Sequence, residues 1–157
     1  MTTLHGSVTE SVAADPDALF ALITDINRLP EWNAHVHHIV EAPAELTDGS
    51  EWVIELRAMG SKWNSRARLQ ELDPVSRRFA HISCSDDGNP SFAYWTWELT
   101  PTDAGTRITV SWELQPKTFW RKWLLARIRH RQLKNEVGES LRSGAAIVIA
   151  GLSALRT

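Results

Sequence analysis

Constellations of side chains that could do chemistry are scarce in this chain, and histidines supply most of the candidates. "HVHH" places His35, His37 and His38 within four residues, and a His-x-His pair on one face of a strand can begin a metal site, because imidazole nitrogens ligate divalent ions. No second histidine or acidic cluster stands at a recognisable ligand spacing, so the sequence predicts no metal and no cofactor. The patch then reads as an exposed polar loop leading into a strand. His130 falls among apolar residues at helical spacing, where an imidazole can hydrogen-bond a ligand carbonyl, relay a proton near neutral pH or sit satisfied in a core. Glu10 shares the parity of Val8 and Val12, which turns a carboxylate inward at a strand end, and His81 completes the set of candidate acids and bases. Cys84, the only cysteine, has no intramolecular disulfide partner and reads as a packed thiol. Nothing resembles a nucleophile elbow, a phosphate loop or a dinucleotide fingerprint.

Local signals define the elements that must hold these groups. "GSVTESVAA" alternates as a first strand ending near Ala13. "DPDALFALI" then gives a short helix, with Asp15 as N-cap, Pro16 at the first helical position, and Leu19, Phe20 and Ile23 on one face. A second turn is predicted from Asn27 to Trp32, capped by Asn27, with Pro30 early enough to be harmless and Trp32 fixing the angle between the two helices, its indole N–H near Asn33. Turn signals at "TDGS", "MGSK", "LDPVS", "DDGNP" and "PTDAGT" divide the chain up to Pro116 into strands of hairpin rhythm. The inward set includes Trp52, Ile54 and Leu56, then Trp63, Ala67 and Leu69, then Trp95, Trp97 and Leu99, then Ile108, Val110, Trp112 and Leu114. Glu51, Glu55, Arg57, Arg66 and Arg68 take the opposite, solvated face. After Pro116 the apolar period lengthens, from Trp123 and Ala126 through His130, Leu133, Val137 and Leu141 to Val148 and Leu155, the stripe of one long helix that Gly138 and Gly144 weaken locally. One strand, two short helices, six strands and a long helix imply an α+β fold with a curved antiparallel sheet across that helix.

"VAADPDALFALITDINRLPEWN" resembles the N-terminal signature of the START-like, polyketide cyclase/dehydrase and lipid-transport superfamily (SRPBCC), and "ELTPTDAGTRITVSWEL" resembles its penultimate hairpin. With the element order, the resemblance spans nearly the whole chain. It implies a helix-grip fold: a seven-stranded sheet wrapped around the C-terminal helix, with a cavity between them. That scaffold serves carriers, receptors and cyclases alike, so function must come from the site.

At 157 residues and 43% hydrophobic content the sequence suits a single domain, 1–157. A net charge of −2 gives no reason to expect nucleic acid. The N-terminus lacks a signal-peptide pattern and "GAAIVIAGLSAL" is too short to span a bilayer, so the expected location is the cytoplasm. Eight tryptophans are many for a small core, and inward rings suggest a cavity wall for a hydrophobic ligand. Trp52, Ile54, Leu56, Trp63, Trp95, Trp97, Val110 and Trp112 from the strands, with His130, Leu133 and Val137 from the helix, are its expected lining. The first expectation is therefore a binding or transport protein for a lipid or an aromatic, polyketide-like molecule. A cyclase or dehydratase is the alternative, using His130, Glu10 or His81. A third reading is peripheral lipid handling, in which Phe119, Trp120, Arg121, Lys122 and Arg127 of "FWRKWLLARIRHRQLK" meet an anionic membrane.

Overall fold

The computed structural model describes residues 4–58, 60–85, 92–115, 138–139, 141–144 and 146–148. β1 (Leu4–Val12) leads into α1 (Pro16–Thr24), a 3-10 turn (Ile26–Arg28) and α2 (Leu29–Trp32). Six strands follow: β2 (Val36–Glu41), β3 (Glu51–Ala58), β4 (Ser61–Asp73), β5 (Arg78–Ser85), β6 (Phe92–Thr102) and β7 (Gly105–Gln115). They form one seven-stranded antiparallel sheet in the order β1-β7-β6-β5-β4-β3-β2. Consecutive hairpins build six strands, and β1 closes onto the last of them. Residues 138–139, 141–144 and 146–148 are helical and belong to the C-terminal helix of a helix-grip α+β fold.

Asp15 caps α1 as its sequence requires, its side chain accepting from the Ala18 N–H at 2.9 Å. Leu19, Leu22 and Ile23 are buried in one core with Leu99 and Ile108 of the sheet and with Leu141 and Val148 of the C-terminal helix. The buried Thr106 hydroxyl donates to the Ala14 carbonyl at 2.7 Å and ties the start of β7 to the turn before α1. The corner differs from its expected form: Asn27 caps nothing, because Ile26–Arg28 closes as a 3-10 turn and Arg28 takes the cap position of α2 without a side-chain bond. A capping side chain is dispensable where two short helical turns run on without a break.

Gly6 of β1 pairs with Trp112 of β7, and a Cβ built on it would lie 2.5 Å from the indole ring. Only glycine lets that ring lie against the strand. Gly138 and Gly144, where the sequence allows a break, are both helical. Gly144 sits opposite Leu19, Leu22 and Trp32, so the C-terminal helix approaches the helical corner closely there.

Candidate functional site

The concave face of the sheet and the helical corner enclose a cavity of about 130 Å³. Alternation on β3 turns Trp52, Ile54 and Leu56 into it, and the same rule on β6 turns in Trp95 and Trp97. The corner contributes Ile23, Ile26, Leu29 and Trp32, and β2 adds the buried Val36. β5 presents Phe79, His81 and Ser83, and β4 presents Ser65 and Ala67. Among the described residues that line it there is no carboxylate, lysine or arginine.

Two indole N–H groups are fixed by a repeated diagonal. Trp95 pairs with His81 across the β5–β6 ladder, yet its Nε1–H donates to Ser83 Oγ, two residues along, at 3.1 Å. Trp97 pairs with Phe79, and its Nε1–H donates to His81 Nε2 at 3.2 Å. An indole can only donate, so His81 Nε2 is an acceptor and the neutral ring carries its proton on Nδ1. Burial pushes the His81 pKa down to about 3, because its ring is enclosed by Phe79 at 5.1 Å, Trp52 at 5.4 Å and Trp95 at 6.2 Å between centroids. His81 is thus a neutral hydrogen-bonding group at physiological pH, with one nitrogen engaged.

Among the described residues, two buried side-chain N–H groups of the wall have no hydrogen-bond partner: His81 Nδ1 and Trp32 Nε1. Trp32 is 2% exposed and stands edge-on to Trp97 at 6.0 Å and 88°. Its indole does not reach Asn33 as the sequence suggested, because Asn33 Oδ1 accepts from the His35 backbone N–H at 3.1 Å. A buried donor without a partner costs about 1–3 kcal/mol, so a bound acceptor that satisfied it would gain that much.

The expected lining divides by position. Trp52, Ile54, Leu56, Trp95 and Trp97 lie in the cavity wall. Trp63, Val110 and Trp112 do not. Trp63 pairs with Leu56 near the turn of the β3–β4 hairpin, while Val110 and Trp112 lie on β7, where the Trp95 ring at 5.8 Å stands beside Trp112. His130, Leu133 and Val137 lie outside the described residues, as do Phe119, Trp120, Arg121, Lys122 and Arg127. Glu10 does face the C-terminal helix, but Arg142 Nη1 pairs with its Oε1 at 3.0 Å and it takes no part in the wall. Sequence reasoning missed Ser65, Phe79 and Ser83, although Phe79, His81 and Ser83 share one parity; an inward row that is mostly polar leaves no apolar alternation to read.

On the other face of the same wall, the histidine patch is part of a strand and not the expected loop: His37 and His38 belong to β2. Glu55, expected on a solvated surface, is 14% exposed, and its Oε2 is buried and without a hydrogen bond. His38 Nδ1, Arg57 Nε and His37 Nε2 surround that oxygen at 3.5, 3.6 and 3.9 Å.

A curved sheet gripping a helix over an aromatic cavity defines the START-like class of ligand-binding folds. Within it, the chain belongs to the polyketide cyclase / dehydrase and lipid transport family, which it matches over residues 3–146. Among solved structures it is similar to the Zhui aromatase/cyclase from Streptomyces sp. R1128, with a TM-score of 0.77 at 14% identity, covering 94% of each chain. It is also similar to the di-domain aromatase/cyclase StfQ of the steffimycin biosynthetic pathway, with a TM-score of 0.74 at 16% identity, covering 96% of this chain and 52% of that one. A protein of Chromobacterium violaceum, CV1439, superposes with a TM-score of 0.70 at 22% identity, covering 93% of this chain and 96% of that one. No curated protein matches the sequence. At these identities the likeness establishes the fold.

Proposed function

We propose that the protein binds a small aromatic molecule bearing a hydrogen-bond acceptor, holding it between the sheet and the helical corner without converting it. The observation that carries this reading is the pair of buried donors without a partner among the described residues, His81 Nδ1–H and Trp32 Nε1–H, in a wall that is mostly rings and aliphatic groups. Rings gain from stacking on Trp52, Trp95 or Trp97, and a ketone, aldehyde or ester oxygen supplies what the two donors lack. Size narrows the class. A cavity of about 130 Å³ compares with the roughly 150 Å³ that accommodates benzene, so a single ring fits within it and a longer lipid or polyketide must extend through the rim. Membership of a family described by polyketide cyclisation and lipid transport agrees with a hydrophobic ligand.

The cyclase reading has less support among the described residues, because His81 offers a donor and no free base, and Glu10 is held in an ion pair. For the membrane reading, no helix among the described residues is long and apolar enough to cross a bilayer, and the basic segment that would lie on its surface is outside them.

Calorimetric titration with acetophenone and with ethylbenzene, matched in shape but for the carbonyl, tests the proposal. Acetophenone should bind about tenfold more tightly, as one satisfied hydrogen bond of about 1.4 kcal/mol requires. Equal affinities would remove the role of the donors, and no binding of either would remove the cavity as a site for such ligands.

A further inference from the structure

We propose that His37, His38 and Glu55 form a binding site for a divalent transition-metal ion of the zinc type, on the face of the sheet opposite the cavity. In a regular strand His37 and His38 would point to opposite faces. Here the β2–β3 register shifts: Val36 pairs with Leu56 and His38 with Glu55, so two steps along β2 oppose one step along β3. Such a bulge turns consecutive side chains toward the same neighbour, and both imidazoles reach the Glu55 carboxylate.

The spacing is that of ligands around a shared ion. His38 Nδ1 and His37 Nε2 stand 3.5 and 3.9 Å from Glu55 Oε2, too far for the 2.7–3.2 Å of a hydrogen bond. Bonds of roughly 2.0–2.1 Å in a tetrahedral zinc site put neighbouring ligand atoms about 3.3 Å apart. All three ligand atoms lie within 4.8 Å of one another. The histidine side chains are 48% and 58% exposed and can close the remaining gap, while Glu55 is held in place on the sheet. Its Oε2 is buried and makes no hydrogen bond, a state an ionised oxygen keeps only at a cost and a bound cation would relieve. Two imidazoles and one carboxylate, with no thiolate, suit zinc and its neighbours, and three protein ligands leave a position for water. Arg57 Nε, 3.6 Å from the same oxygen, is the competing cation; its side chain is half exposed and free to turn outward when an ion takes its place.

Untagged protein, dialysed against chelator, should take up one Zn²⁺ per chain by calorimetric titration, and Co²⁺ in its place should give the visible absorption of a low-coordinate site. His38→Ala and Glu55→Gln should each weaken Zn²⁺ binding by about a hundredfold or more, the upper range seen when even outer partners of a site are lost. Arg57→Gln should strengthen it. Melting curves in chelator identify any variant that fails to fold, and His38→Ala, at an exposed position, keeps the test available if Glu55→Gln does not. No saturable uptake by the wild type would overturn the proposal, as would unchanged affinity in His38→Ala, since zinc would then be held elsewhere.

Discussion

His81 and the pair His37–His38 lie on opposite faces of the same sheet, and the comparison shows how surroundings decide what an imidazole does. His81 is enclosed by Trp52, Phe79 and Trp95, and burial keeps it neutral with its proton on the nitrogen away from Trp97. His37 and His38 keep about half of their surface and share one carboxylate. The inner histidine is fixed by regular alternation, and the outer pair is brought together by a break in it. The inner face therefore depends on packing, whereas the outer face depends on charges that water can screen.

Truncation separates the two faces most strongly. Trp97→Ala should cost about 3–5 kcal/mol in urea unfolding, the range for removing a buried aromatic ring. Arg78→Ala, which removes the cation between Glu71 and Glu98 on the outer face, should cost about 1 kcal/mol at most because all three groups remain open to solvent. Equal losses would mean that the outer charges carry more of the stability than their exposure allows. Acid comes next. The unfolded chain takes up a proton on His81 near the ordinary imidazole value, but the folded chain resists until about pH 3, so protons favour unfolding throughout that window. Stability should fall by about 1.4 kcal/mol per pH unit from this group as pH drops from about 6.5 toward 3, over and above carboxylate effects. His81→Gln, which retains an acceptor for Trp97, should remove that part of the slope; an unchanged slope would show that the ring is charged within the fold.

Single hydrogen bonds give smaller effects. Trp97→Phe strands the buried acceptor His81 Nε2 and should cost about 1–3 kcal/mol, whereas Trp95→Phe leaves a Ser83 hydroxyl that can rotate and should cost about 1 kcal/mol or less. The reverse order, measured by thermal melts, would contradict the assigned tautomer. Smallest of all, Arg28→Ala removes an exposed pair with Glu31 three residues on, and the melting temperature should not move measurably.

Most of the fold is legible in the sequence because the strongest signals are local: the Asp15 cap with Pro16, the turn clusters, and the alternation Ile108, Val110, Trp112. The site is legible only where its lining is apolar. Trp52, Ile54, Leu56, Trp95 and Trp97 announce themselves by parity; Ser65 shares the inward parity of Trp63 and Ala67 but carries no apolar mark, and Ser83 has the polarity of an outward position, so that only the paired strands show it facing in. The Glu55 cluster is hidden for a different reason. Its histidines lie 17 or 18 residues from the carboxylate across a loop, and the bulge that aligns them leaves no mark in "VHHIVE", which carries no regular apolar period.

That bulge also bears on how the molecule meets copies of itself. β1 and β2 are the two edges of the sheet, and each has a row of backbone donors and acceptors facing away from its neighbour. The β1 ladder is regular for nine residues, whereas β2 shifts register twice within six and carries His37, His38 and Glu41 on an exposed strand. An incoming strand at β2 would meet an interrupted, twisted template lined with polar groups, which is how natural sheets discourage edge-to-edge aggregation.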